Sequence, residues 1–300
     1  MKSKQEIEET LEKNRGTDFV IPMSWDVMFE QMFISKEVMP LLEYIISIFS
    51  NVDINDVKGK VKLLPNELRQ NFAKDTRSKS DIIAEYFKDE KNTDKYIVEM
   101  NSSKKMPWRN VFYAYKVASG GISIANDKYV KTYDTILINF NNFHDSKHKF
   151  IRTITMRDED GIIYDDSTII YEVNMAKAKD LSYNYTNKRE EQIAIISRML
   201  MAESSVELNK ESNIIMNKKD TEKLVNRAKE LSSDDEYIRL FDEEENYKEL
   251  IRNTELSEAH EAGSKEKALE IAKNAKALGL DNNSISKITG LSIEEIENLK

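Results

Sequence analysis

The chain has 300 residues, 40% apolar and 33% charged, with a net charge of −9 and no cysteine. That composition describes a globular chain with room for one large or two ordinary domains. It excludes disulfides, thiolate metal sites and cysteine nucleophiles, and no apolar run approaches the ~20 residues of a transmembrane helix.

In chain order, residues 1–16 read as a charged helix or a frayed tail rather than an apolar leader, so a cytoplasmic protein is expected. Ser24 is placed to cap a helix from Trp25, whose Met28, Phe29, Met32 and Phe33 recur at helical spacing. Glu37–Phe49, holding the longest apolar cluster in Met39–Phe49, reads as a second core helix, followed by a turn over 51–56. Residues 57–65 predict a strand, and 66–79 are polar and partly mobile. Two apolar strands come next, around Asp81–Phe87 and Tyr96–Asn101, joined by a polar loop over 88–95. Pro107 starts a helix that Gly120-Gly121 ends. Tyr133–Phe140 and Lys149–Met156 are strands, and Ile162–Val173 gives one or two more, interrupted at Asp165-Asp166. From Thr186 onward the pattern is helical and acidic, with Asp234–Glu236 and Asp242–Glu245 as solvated faces or helix N-termini. Ala262–Leu278 forms a helix closed by Gly279, Ser284–Thr289 a short one, and Ser292 with Glu295 a capping box for Ile293–Lys300. This ending is half of a helix-turn-helix in outline. Its acidic second helix favours a small helical hairpin for packing or self-association instead.

The most informative pair is Asp81 and Glu99. If the two strands pair about residue 90, position i faces 180 − i, and the two carboxylates lie directly opposed. Like charges so placed repel, and a divalent cation between them is the natural remedy; the plain alternative is two strand-end acids facing solvent. Glu99 and Asn101 share one face of their strand, and this oxygen-rich set suits Mg²⁺, with Mn²⁺ or Ca²⁺ as alternatives.

Charge is unevenly placed. Residues 58–157 hold 20 Lys and Arg against 11 Asp and Glu, a net of +9, which leaves −18 for the rest of the chain. A polyanion such as DNA is the partner that this segment would attract. Arg109, Tyr113 and Lys116 recur at i, i+4 and i+7 on one helix face within it. His144 and His148 are best placed in a loop, His260 stands alone, and no Gly-rich phosphate loop or nucleophile elbow is present.

The ordered set of pieces resembles the Rpn group of recombination-promoting nucleases and transposase-like proteins, within the PD-(D/E)XK nuclease superfamily. Those pieces are Trp25-Asp26-x-x-Phe29, Asp81, Glu99-Met100-Asn101, Arg109-x-x-x-Tyr113, the strand Thr135–Phe140, and Thr289-Gly290-Leu291-Ser292-x-Glu294-Glu295-Ile296. The resemblance implies an α/β fold with a restriction-endonuclease-like core, a mixed central sheet flanked by helices, followed by an all-helical C-terminal region. Its expected divisions are a nuclease-like domain over 1–185, a helical extension over 186–262 and a helical hairpin over 263–300. The implied activity is metal-dependent cleavage of DNA phosphodiesters, linked to recombination or mobile elements, with Asp81 and Glu99 as metal ligands and Asn101 as the third catalytic residue. Arg109 and Tyr113 would bind phosphate or buttress the site, and Asp26 would add a further acid, with Glu30 nearby. Asn101 departs from the Gln of the family and the Lys of the wider superfamily, so Lys104 or Lys105 is a candidate replacement for the missing charge. That departure keeps open an inactive nuclease fold serving DNA binding or protein interaction. A homodimer, or a protein partner for the acidic helical region, is compatible with either.

Overall fold

The computed structural model describes residues 17–68, 78–102, 107–125, 127–143, 149–180, 184–243 and 267–299. The expectations for residues 1–16, for the three histidines, for Lys104 and Lys105, and for most of 66–79 lie outside those residues. Contacts divide the chain into a larger unit ending at Asp242 and a smaller one from Glu243.

The larger unit opens with α1 (Asp26–Phe33), which buries Met28, Phe29, Met32 and Phe33 as their spacing predicts. Ser24 is not its cap: Trp25 occupies that position without a side-chain cap, and the Ser24 N–H donates to the Leu200 carbonyl. Helix α2 (Met39–Ser50) starts two residues later than expected because Pro40 suits only the first turn. It ends at Asn51, in the left-handed region. The expected turn over 51–56 contains a short helix, α3 (Ile54–Val57), whose N-cap Asp53 accepts from the Asn55 N–H. This shortens the following strand to β1 (Val61–Leu64). Within the described part of 66–79, β2 (Glu67–Leu68) and β3 (Ser78–Lys79) pair with each other.

Strands β4 (Ile82–Phe87) and β5 (Thr93–Asn101) then form the predicted hairpin with a shorter loop. Every one of their pairs, from Ile82–Val98 to Phe87–Thr93, obeys the predicted register. Helix α4 (Pro107–Ser119) follows, and then an exposed hairpin of β6 (Ile122–Ala125) and β7 (Lys128–Lys131) that was not predicted. Strands β8 (Tyr133–Asn141), β9 (Ile151–Arg157) and β10 (Ile163–Asn174) complete the sheet. The last runs unbroken through Asp165-Asp166; only its pairing with β9 shifts register there. The six-stranded order is β1-β4-β5-β8-β10-β9, with β5, β8 and β10 parallel to one another and the remaining neighbours antiparallel.

Alternation along the strands gives the sheet two faces. On one, Ile83, Ile97, Leu137 and Ile170 pack under Ala114 and Val117 of α4. On the other, Tyr96, Val98, Met100, Ile138, Phe140 and Val173 meet α1, α2 and α5 (Lys188–Leu200). Helices α6 (Ser205–Ile215), α7 (Lys218–Ser232) and α8 (235–243) extend the unit as the acidic helical pattern requires. Asp234 caps the last of these by accepting from the Glu236 N–H, but Asp242 is buried rather than solvated.

The smaller unit contains α9 (267–277), α10 (Asn282–Thr289) and α11 (Ile293–Glu297). Ala272, Ile285, Leu291 and Ile296 form its core. Gly279 and Gly290 take positive φ at the two turns, and the Ser292–Glu295 capping box is present. Helix α10 begins before Ser284 because Asp281 caps it, and α11 stops before Lys300.

No helix among the described residues is long and apolar enough to cross a membrane.

Candidate active site

The site lies on the α4 face, at the carboxyl ends of the parallel strands, where ligands of open α/β sheets bind. One rung beyond the apolar row, Glu99, Asn139 and Glu172 are in register across β5, β8 and β10; the next rung holds Asn101, Asn141 and Asn174. All six are buried. Each strand therefore ends in the same polar-x-Asn pattern, visible in the sequence as Glu99-x-Asn101, Asn139-x-Asn141 and Glu172-x-Asn174. Only the first was singled out by sequence reasoning, because the strand register that aligns all three is a long-range property.

Asp81 immediately precedes β4 and is held opposite Glu99. The Met100 N–H donates to Asp81 Oδ2 at 2.8 Å, while Glu99 Oε1 accepts from the Ser80 hydroxyl at 2.6 Å and the Asp81 N–H at 3.0 Å. Each carboxylate is thus held by a backbone N–H of the opposite strand end, and Ser80 is a site residue that sequence reasoning missed. Neither acid is the solvated strand-end residue of the plain alternative.

Burial is the main cause that raises both carboxyl pKa values above their ordinary range. The Asp81 charge pushes Glu99 up further, and Asp26 and Glu30 push Asp81 up. The structure therefore brings Asp26, in the first turn of α1, within electrostatic reach of the pair. Hydrogen bonds and Arg109 pull the other way without cancelling the burial. A hard divalent cation would relieve this excess charge, and the oxygen donors suit one. No cluster of three metal-ligating side chains occurs among the described residues; Asp81 and Glu99 are two carboxylates that could hold a cation only with waters as further ligands.

Arg109, one turn into α4, supplies the positive charge at this point. Its guanidinium lies 3.6 Å from Glu99 Oε2, donates to Asn101 Oδ1, and is 5.8 Å from the Tyr113 ring centroid. Asn101 Nδ2 donates to Asn139 Oδ1 at 2.6 Å and Asn141 Oδ1 at 2.9 Å. Both ends of the Asn101 amide, expected to serve as the third catalytic residue, are therefore engaged inside the protein. Lys116 is not brought to the carboxylates: its ammonium lies over the Phe112 ring at 4.9 Å. Asn110 projects from the buried side of α4 with Ala114 and Val117, and neither its amide atoms nor Asn139 Nδ2 hydrogen-bond to another protein group. Glu172 is matched by Arg152, directly opposite it on β9.

Comparison with known proteins places the C-terminal unit. Residues 265–300 match the family model described as the C-terminal HTH domain of the Rpn/YhgA-like nuclease family. This favours the helix-turn-helix reading of α10 and α11 over a packing hairpin, and it likens this unit to the C-terminal domain of a nuclease family, a kind of domain that suggests DNA binding. No curated protein and no solved structure matches the chain.

Proposed function

We propose that the chain is a metal-dependent DNA endonuclease of the Rpn type, with a PD-(D/E)XK-like core over 1–185. The observation that carries this reading is the Asp81–Glu99 pair at the carboxyl end of the parallel strands, Glu99 buried and Asp81 half-buried, with both pKa values raised and Arg109 against Glu99. The match of residues 265–300 to a domain of a nuclease family supports it, as does the local net charge of +9. The link to recombination or mobile elements follows from the resemblance alone, and a cytoplasmic setting from the sequence composition.

Asp81 and Glu99 hold the cation, Mg²⁺ or in its place Mn²⁺ or Ca²⁺. When bound, such an ion polarises a phosphoryl oxygen and lowers the pKa of a coordinated water. Arg109 binds the phosphate, replacing the cation lost with Asn101, and Asn101 positions Arg109. Tyr113 backs the guanidinium, and Asp26 and Glu30 add negative potential on the Asp81 side.

A second reading, an inactive nuclease fold used for DNA or protein binding, is favoured by one observation: Asn101 has no amide atom left over for substrate. Purified protein incubated with supercoiled plasmid and Mg²⁺ separates the two. Nicking by the parent, lost in Asp81→Ala and Glu99→Ala, is expected. Nicking that both variants retain contradicts the residue assignment, and DNA binding without nicking favours the second reading.

A further inference from the structure

The outward side of α4 carries a stripe that the proposed chemistry does not use. Helix α4 buries Asn110, Ala114 and Val117, so residues at the opposite angle face solvent. Trp108 is 74% exposed and Phe112 46%, one turn apart, with Val111 beside them and the Lys116 ammonium 4.9 Å from the Phe112 ring centroid. An exposed tryptophan is costly in hydration and is uncommon without a partner. The next residue after Trp108 is Arg109, which contacts Glu99 and Asn101. The stripe is thus continuous with the carboxylate pair through a single side chain.

We propose that Trp108 and Phe112 form a stacking platform for unpaired bases, which makes single-stranded or frayed DNA the substrate class of the Asp81–Glu99 site; this rests on the nuclease reading above. Aromatic faces interleaved with cations are what a single strand needs: bases stack on the rings while phosphates meet Lys116 and Arg109. The charge supports a nucleic acid over an apolar protein surface, since the segment containing the stripe has a net charge of +9 in a chain of −9. A duplex keeps its base faces hidden and would leave Trp108 in water. Unpaired bases cover it.

The test uses full-length protein in EDTA, with fluorescein-labelled 15-nucleotide single-stranded DNA of mixed sequence and the corresponding duplex, read by fluorescence anisotropy. Trp108→Ala and Phe112→Ala each weaken single-strand binding by roughly 5- to 100-fold, as base–aromatic stacking energies convert, and weaken duplex binding far less. Trp108→Phe restores most of the single-strand affinity. Lys116→Gln reduces the slope of log affinity against log salt by about 0.7, the value for one phosphate contact on a single strand. Single-strand binding unchanged in Trp108→Ala overturns the proposal, as does equal loss on both DNAs. A dimer in the parent that dissociates in Trp108→Ala also overturns it, since the stripe is then a contact between copies. Failure of the nuclease reading is seen separately, in plasmid nicking with Mg²⁺: a parent that does not nick, yet binds single strands in the Trp108-dependent way described, overturns that reading and leaves the platform standing.

Discussion

Replacing Glu99 by Gln tests the electrostatics of the site apart from catalysis. Opposed residues of an antiparallel pair are about 5 Å apart, and two unit charges at that distance repel by about 3 kcal/mol at an effective dielectric constant near 20. Gln keeps a carbonyl oxygen for the Ser80 hydroxyl and the Asp81 N–H, whose bonds to Glu99 Oε1 are 2.6 and 3.0 Å. Exchanging a charged for a neutral acceptor forfeits about 1 kcal/mol across the two. The partly exposed Arg109 partner adds well under 1 kcal/mol. Glu99→Gln in EDTA is therefore more stable than the parent by about 1–2 kcal/mol, a rise in Tm of about 2–8 °C for a unit of this size.

The gain depends on pH. A carboxyl whose folded pKa is raised holds a proton that the unfolded chain has already released. Stability then falls as pH rises from the ordinary glutamate range to the raised value and levels off above it. The parent loses this stability and the Gln variant keeps it. Calorimetry at about pH 8.5 shows the full difference, and at about pH 4.5 most of it vanishes. A Glu99→Gln protein less stable than the parent at the higher pH, or a gain equal at both, refutes the account of a repulsive pair around a buried Glu99.

Asn101→Ala leaves the Oδ1 atoms of Asn139 and Asn141 without their donor in a buried layer. A loss of about 2–4 kcal/mol in urea unfolding is expected, with a loss under about 0.5 kcal/mol contradicting the network. Arg189 donates to the carbonyls of Ile48 and Phe49 at the end of α2, both at 3.0 Å, and lies 5.0 Å from the Tyr171 ring centroid. Arg189→Ala costs about 2–3 kcal/mol by the same measurement, since charged donors are worth more than neutral ones; no effect would mean that this cap is decorative.

The central hairpin was legible because its signals are local. A loop with no apolar residue separates the two strands, and pairing about its middle, near residue 90, puts Ile83 and Ile97 together on one face and opposes Asp81 to Glu99. The Arg109–Tyr113 relation was legible for the same reason, from helical spacing alone. Lys116 shares that face, yet its ammonium goes to Phe112, a choice of rotamer that spacing does not determine. The β6–β7 hairpin escaped notice because all of its residues with described side chains are exposed and carry no burial pattern. Asn139, Asn141, Glu172 and Asn174 were readable as polar ends of apolar strands. Their alignment with Glu99 and Asn101 depends on which strands become neighbours, and no local signal encodes that. Ser80 was hidden for a simpler reason: it precedes its strand and acts only through Glu99.

The claim that Asp81 and Glu99 together bind a divalent cation is tested most directly by titrating Mn²⁺ into the metal-free protein and counting bound ion by electron paramagnetic resonance. The parent is expected to bind one Mn²⁺ that Mg²⁺ displaces, and Asp81→Ala and Glu99→Ala, with far-ultraviolet circular dichroism unchanged, to bind none. A parent that takes up no Mn²⁺, or variants that bind it as the parent does, contradicts the claim.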